Sequence, residues 1–517
     1  MAGSPSLIAI TMLARSGATA LAWARLEAGG FAPDDPAALA VRGRLLKDRA
    51  RAATGAAARA LYTEAAAAYT ASAAIDGASY PLINAATLTL LGGDAAGAAR
   101  RAAKLLTRID SGAPDHETPY YRAATRAEAL LLLGRTAEAR AALVAAISVA
   151  PDASEDHATT LRQFALILTT LGGDTGWLDI LRPPRTLHYA GRIATPLATT
   201  ANTALTNQIT RILMHNRIGS AYGALAAGAD ITIAEALIAH GAALHIVLPA
   251  PVSAFAAASV EPFGAGWRSR FDAICAAAAS IDEGTAKQID SMTIALASER
   301  AMGRAIQTAD RLATTTIQLV MTGPTDTPGT NTARDAALWH AAGRPQFRLP
   351  WPYKLPVMTP EPPLHARLVA LLDLNIAAPA SALAAVHAAL APLPPPLAAA
   401  ATATGAAFAW PDPAAAATAA AAILAALDPA FQLRLAGHYA IIADTADPFT
   451  GKLALFGTEA ARTTRLSALT PVGATYVSDD FLAGLLLRTP GFRHEYVGDA
   501  PGERAGADLP LHAIMLK

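Results

Sequence analysis

Two turns in the chain carry the residue types that hold phosphate groups. The first, GSAYGALAAGADITIAEALIAHGAALHIVLP from Gly219 to Pro249, has Gly219, Ser220, Gly223 and Gly228 leading into a helix that carries Asp230 and Glu235. In the second, GPTDTPGTNTARDAALWHAAGRPQFRLP from Gly323 to Pro350, Pro328, Gly329 and Thr330 fall between a strand and the next helix. A glycine-bearing turn at a helix N-terminus lets backbone N–H groups approach a phosphate, and the helix dipole adds to the attraction. Two such turns on successive crossover units would line one cleft at the carboxyl ends of the strands, a site for a nucleotide-like ligand. The spacing is not G-x-G-x-x-G, so hydride chemistry with NAD is not expected. His215, His240 and His245 lack a carboxylate or histidine partner at ligand spacing, and no metal site is expected there. His188 is expected to satisfy a backbone group.

Elements must hold these turns in place. After Pro183 and Pro184, strand-like runs such as LHIVLP (244–249) and TIQLVMTGP (316–324) alternate with helical stretches, which predicts a parallel sheet with crossover helices over 186–352. The arrangement resembles the SLOG superfamily of Rossmann-like nucleotide-sensing and nucleotide-processing domains across roughly His188 to Pro350. Members that cleave nucleotides use a glutamate and an arginine, for which Glu235 and Arg334 are the counterparts here. Each also reads as a solvated helix residue.

Upstream, from Leu13 to about Leu181, apolar residues recur at three- and four-residue spacing with short Gly- or Asp-containing breaks. In the segment Ala124 to Asp152, Gly134 stands at a tight turn, Ala139 and Ala146 are small where two helices approach, and Pro151 ends the second helix. This segment resembles a tetratricopeptide repeat, with weaker copies around Gly17 with Ala22 and Gly92 with Ala98. One hairpin cannot bury its apolar face, so stacked neighbours over 1–183 are expected. The wider stretch from Val41 to Asp94 also looks like the TRAF-binding helical region of apoptosis signal-regulating kinases. Both resemblances imply a scaffold that recruits a protein or peptide; Trp23, Tyr62, Tyr69, Tyr120 and Tyr121 are read as core filling.

The final region, 362–517, begins with the apolar strand RLVALLDLN (367–375) and ends with YVG (496–498) and LHAIMLK (511–517). Asp447 to Leu486, with GATYVS at Gly473–Ser478, resembles the C-terminal half of class III nucleotide cyclase domains. That resemblance implies an α+β ferredoxin-like fold and two aspartates holding two metal ions. Asp373 matches the first aspartate. The hairpin due to supply the second, ATATGAAFAW (401–410), offers Thr404 and Gly405 and no carboxylate. Arg465 matches the transition-state arginine, whereas the expected asparagine is Ala461 and the base-selecting position is Ala454. Losing one preorganised donor costs about 10²–10³ in rate. The lobe is therefore read as a pseudo-cyclase, with Mg or Mn as cofactor only if it is active.

Composition agrees with an intracellular multidomain chain. Its 517 residues predict about three domains at roughly 100–200 residues each. Lys+Arg 41 against Asp+Glu 41 leaves zero formal charge, which argues against a general nucleic-acid binder. The single cysteine, Cys275, has no intrachain partner and fits a reducing compartment. Mean hydropathy is +0.31, but nearly half of the apolar fraction is alanine. The uncharged stretch Asn375 to Pro411 is broken by Pro379, Pro392, Pro394, Pro395 and Pro396, so no membrane span is expected. No basic segment precedes the apolar residues of the N-terminus, so no signal peptide is expected and a cytoplasmic location is read. The expected function is a signalling scaffold that recruits a partner, senses a nucleotide-derived ligand and carries a pseudo-cyclase regulatory or dimerisation lobe, with a homodimer implied by resemblance. The alternative is an active adenylate or guanylate cyclase needing a partner or other metal ligands, and a third is nucleotide hydrolysis in the middle domain.

Overall fold

The computed structural model describes residues 6–193, 203–323, 330–352, 365–377, 379–501 and 508–515. The chain divides into two compact units, Met1–Pro183 and Pro184–Lys517.

The first unit is helical throughout its described residues: α1 (Leu7–Arg15), α2 (Thr19–Ala28), α3 (Pro36–Ala52), α4 (Gly55–Asp76), α5 (Ser79–Leu91), α6 (Ala95–Asp110), α7 (Pro119–Leu132), α8 (Thr136–Val149) and α9 (Ser154–Leu171), then a 3-10 turn at Gly176–Leu181. Helix starts follow local chemistry. Asp35 caps α3 by accepting from the Ala37 and Ala38 N–H groups at 2.9 and 3.2 Å, and Pro36 occupies the first turn, where no N–H is needed. Gly134 sits at φ +74° between α7 and α8 and Gly17 at φ +82° between α1 and α2, conformations that favour glycine. Ala22, Ala98, Ala139 and Ala146 are fully buried, so small side chains set the close helix spacing. Alternate helices α5, α7 and α9 touch one another and form one layer.

The second unit opens with β1 (Arg185–Ala190), α10 (Thr203–His215), β2 (Ile218–Gly223), α11 (Ala229–His240), β3 (Ala243–Leu248), α12 (Val252–Ser259), α13 (Ala265–Ala277), β4 (Ser280–Glu283), α14 (Ser291–Arg311), β5 (Thr316–Thr322), α15 (Asn331–Ala341) and β6 (Gln346–Pro350). Its sheet has the order β4-β3-β2-β1-β5-β6, every pair parallel. The central strands β1 and β5 are buried along nearly their whole length, as helices on both faces require. Strand order reverses between β1 and β5, the place where open parallel sheets form a crevice at the carboxyl ends of their strands.

The unit continues with β7 (Ala366–Asn375), α16 (Pro379–Leu390), β8 (Ala398–Thr402), β9 (Gly405–Trp410), α17 (Pro413–Ala426), β10 (Arg434–Ala443), α18 (Thr458–Leu469), β11 (Thr475–Ser478), α19 (Asp479–Arg488), β12 (Arg493–Ala500) and β13 (Leu509–Met515). The second sheet runs β12-β13-β11-β10-β7-β9-β8, antiparallel except where β10 meets β11.

Helices α14 and α19 join the two sheets. A Cβ on Gly303 would lie 2.2 Å from the Ala483 Cα, so only glycine permits this approach. Around the contact, Arg300 donates to both oxygens of Asp480 (2.5 and 3.0 Å) and Arg304 to Asp479 (2.9 Å). Asp282 of β4 accepts from Arg304 at 2.8 Å, and Glu299 accepts from Arg488 at 2.7 Å. Burial raises Asp479, yet His512 and Arg304 hold it well below the usual carboxylate range.

Candidate functional site

At the crevice, the N-termini of α11 and α15 converge on the segment after β1. Gly228, at φ +116° and ψ −121°, precedes α11 and bridges to Ile193, and the Ala229 N–H donates to the Arg192 carbonyl at 3.0 Å. From the other side, Thr330 caps α15 by accepting from the Ala333 N–H at 3.3 Å, and the Thr332 hydroxyl donates to the Gly191 carbonyl at 2.9 Å. Gly191 leaves room for this meeting, since a Cβ there would lie 2.2 Å from that of Ala229.

Two buried carboxyl groups stand at this junction. Asp230 is 6% exposed, and its Oδ2 accepts from the Ala226 N–H at 3.2 Å. Burial pushes Asp230 up to about 7, against the pull of the Ala226 and Gly191 N–H groups, and Asp335 adds a smaller push the same way. Asp335, 2% exposed, accepts from Arg334 at 2.9 Å and is pushed up to about 6, again chiefly by burial. At neutral pH the Asp230 carboxyl is therefore partly protonated.

Several sequence expectations need correction. Gly219, Ser220 and Gly223 are residues of β2, not of a phosphate turn. Their glycines serve close packing: a Cβ on Gly219 would meet Pro184 at 2.5 Å, and one on Gly223 would meet the Tyr189 carbonyl at 2.6 Å. Glu235 is half a helix away and forms a forked pair with Arg270 at 2.6 and 2.7 Å, its side chain 41% exposed. Arg334 is spent on Asp335 and the Ala295 carbonyl. His188 satisfies a side chain, the Gln318 amide at 3.0 Å, not a backbone group, and burial lowers it to about 3. Pro328 and Gly329 lie outside the described residues. Sequence reading missed Gly191, Thr332 and Asp335; a glycine directly after a buried strand was the one local signal for the first.

In the second sheet Asp373 faces α18. Its Oδ1 accepts from Ser467 at 2.5 Å and its Oδ2 from Thr464 at 3.0 Å, and burial raises it. Thr404 lies in the β8–β9 turn and Gly405 opens β9, with Ala407 opposite Asp373. Arg465 and Ala461 are exposed on α18. No cluster of three or more His, Cys, Asp or Glu suited to a metal occurs among the described residues. Beside Asp373, His438 joins Ser478 (2.8 Å) and Glu459 (2.7 Å), and Arg462 donates to Glu459 at 2.8 Å. Burial raises Glu459, but His438 and Arg462 outweigh it and hold the carboxyl low. The order serine–histidine–carboxylate is that of an acyl-transfer triad. Ser478 is fully buried and accepts from the Phe481 N–H as the cap of α19, so it is a structural hydroxyl.

Among the described residues, no helix is long and apolar enough to cross a membrane. No curated protein matches the chain. The chain is similar to the catalytic core of a rhodopsin-guanylyl cyclase with converted specificity in complex with ATPαS, at 10% identity and TM-score 0.24, over 29% of this chain and 98% of that one. It is likewise similar to adenylate cyclases from Trypanosoma brucei in their monomeric state, at 11% identity and TM-score 0.24, over 31% of this chain and 93% of that one. Residues 8–89, within the helical unit, match the family model described as Tetratricopeptide Repeats-Sensor.

Proposed function

We propose that the chain is a cytoplasmic signalling protein in which the crevice beside Gly191 binds a nucleotide-derived ligand and the seven-stranded portion is a pseudo-cyclase. The observation that carries the ligand reading is the convergence of two helix N-termini on Gly191, at the point where strand order reverses. There the helix N-termini favour a phosphate, and the buried Asp230 carboxyl suits a ribose hydroxyl. The order β4-β3-β2-β1-β5-β6 supports a Rossmann-like, SLOG-type domain over 186–352. The run β10-β7-β9-β8 is the order of a ferredoxin-like core, in keeping with a cyclase homology domain over 362–517. Occupation of both Asp373 oxygens by hydroxyls supports the pseudo-cyclase reading over an active cyclase.

Recruitment of a protein partner by residues 1–183, as repeats of tetratricopeptide or TRAF-binding type, and pairing of two copies belong to the same proposal. Thermal shift of the full chain with nucleotides, cyclic nucleotides and ADP-ribose derivatives tests the ligand reading: stabilisation that Asp230→Ala abolishes supports it, and no stabilisation by any of them at millimolar concentration defeats it. Incubation with ATP or GTP and Mn²⁺ tests the other half; a cyclic product lost in Asp373→Ala overturns the pseudo-enzyme reading.

A further inference from the structure

Helix α15 touches both the crevice and the second sheet's helices. Near its start Thr332 bonds to the Gly191 carbonyl, and just past its end Arg344 donates to the Leu486 carbonyl of α19 at 2.9 Å. Two carboxyl groups, each 2% exposed, lie between these ends. Asp335 stands on the crevice side, close enough for its charge to raise Asp230 of α11. Glu299 of α14 stands on the junction side: its Oε2 accepts from Arg488 of α19 at 2.7 Å, and the Tyr439 hydroxyl of β10 bonds to the same group.

Arg334 lies within reach of both. Its Nη2 is 2.9 Å from Asp335 Oδ1 and 3.9 Å from Glu299 Oε1, so a small movement of one side chain exchanges one partner for the other. Its Nε is buried and donates to no group among the described residues, which leaves the guanidinium a donor to spend after such a move. While Asp335 is ionised, Arg334 and Arg488 each have a carboxylate. Once Asp335 is neutral, two arginines share Glu299, and their mutual repulsion weakens its hold on Arg488. Asp335 is faced by Arg334 on its own helix, by Ser298 and Glu299 of α14 and by Asp230 of α11. Burial, with a smaller push from Glu299, outweighs Arg334 and Ser298 and raises it to about 6, so neutralisation lies near physiological pH.

We propose that Arg334 couples the crevice to the second sheet: when a negatively charged ligand leaves Asp335 neutral, Arg334 passes to Glu299 and α19 loosens from α14. An anion beside a carboxylate favours its protonated form, and the proton comes from solvent. The trigger rests on the ligand reading above, whereas the coupling itself is carried by residues of this chain.

Amide hydrogen exchange of the full chain, without ligand, tests the coupling. Asp335→Asn imitates the neutral carboxyl and should speed exchange in α19 about fivefold or more, the lower end of coupling between sites, while α13 keeps its rate. In the Arg334→Gln chain the same substitution should leave α19 unchanged, because the group that moves is gone. A carboxyl that merely supports the fold would speed α19 in both backgrounds. Circular dichroism shows whether Asp335→Asn is folded. If it is not, α19 exchange at about pH 5 and about pH 8 in the unaltered and Arg334→Gln chains decides, since protonation of Asp335 replaces the substitution. Faster α19 exchange at the lower pH, beyond the intrinsic effect of pH and confined to the unaltered chain, supports the relay; the comparison cancels any change at the His512–Asp479 pair, which both chains share. Acceleration that survives Arg334→Gln, or no acceleration on neutralising Asp335, overturns the proposal. A positive result beside a failed nucleotide thermal shift would remove the ligand reading and leave a relay driven by protons alone.

Discussion

At the scale of single residues, the crevice costs stability in a pH-dependent way. Asp230 has an unfolded pKa near 4 and is raised to about 7 in the fold, so its contribution is fully present below about pH 4 and is lost as pH rises through 7. Asp230→Asn should therefore leave the melting midpoint nearly unchanged at about pH 4 and raise it at about pH 8, by the equivalent of a few kcal/mol. A pH-independent difference between the two proteins would contradict the buried, protonated carboxyl. Asp373 gives the opposite kind of change: Asp373→Ala removes the hydrogen bonds from Ser467 and Thr464, leaving both hydroxyls only α18 carbonyls, and should cost about 1–3 kcal/mol in denaturant unfolding, with Asp373→Asn milder. Gly228 and Asp230 were legible because a glycine before an apolar-periodic run marks a helix start. Asp335 was not, because what sets its proton affinity is burial beneath Arg334 and α14, which no local spacing encodes.

Among the elements, α18 is unusual in how it is held. It meets its sheet through Thr463, Leu466 and Ser467 as its buried residues, so polar pairs to Asp373 and His438 do much of the docking. Glu459→Gln weakens the pair to His438 and should speed amide hydrogen exchange in α18 while leaving α17, which buries an alanine-rich apolar face, protected. Equal effects on both helices would show that α18 does not open by itself. Strands with continuous apolar runs, β3, β5 and β7, were readable from the sequence. GSAYG reads as a turn by composition and becomes β2 because β1 and β3 flank it with parallel ladders, a tertiary effect that overrides local propensity.

For the molecule as a whole, the division at Pro183 coincides with a change of periodicity that the sequence displays, whereas the joining of the two sheets rests on pairings between residues 299–304 and 479–488 that no local pattern reveals. Gly303→Leu forces α14 and α19 apart and should destabilise the second unit by about 1–3 kcal/mol or more. If the junction couples the sheets, calorimetry of residues 184–517 shows one transition, and Gly303→Leu splits it into two. Separate transitions in the unaltered chain would mean that each sheet is stable without the other. The α14–α19 junction also bears on inheritance. A recombination breakpoint between 352 and 365 would part Arg300 and Arg304 from Asp480 and Asp479, and Glu299 from Arg488, removing the cross-junction pairings of these largely buried charges on both fragments. The two sheets should thus pass between genomes as a single cassette, with substitutions at the arginines and aspartates of the junction appearing together in related chains.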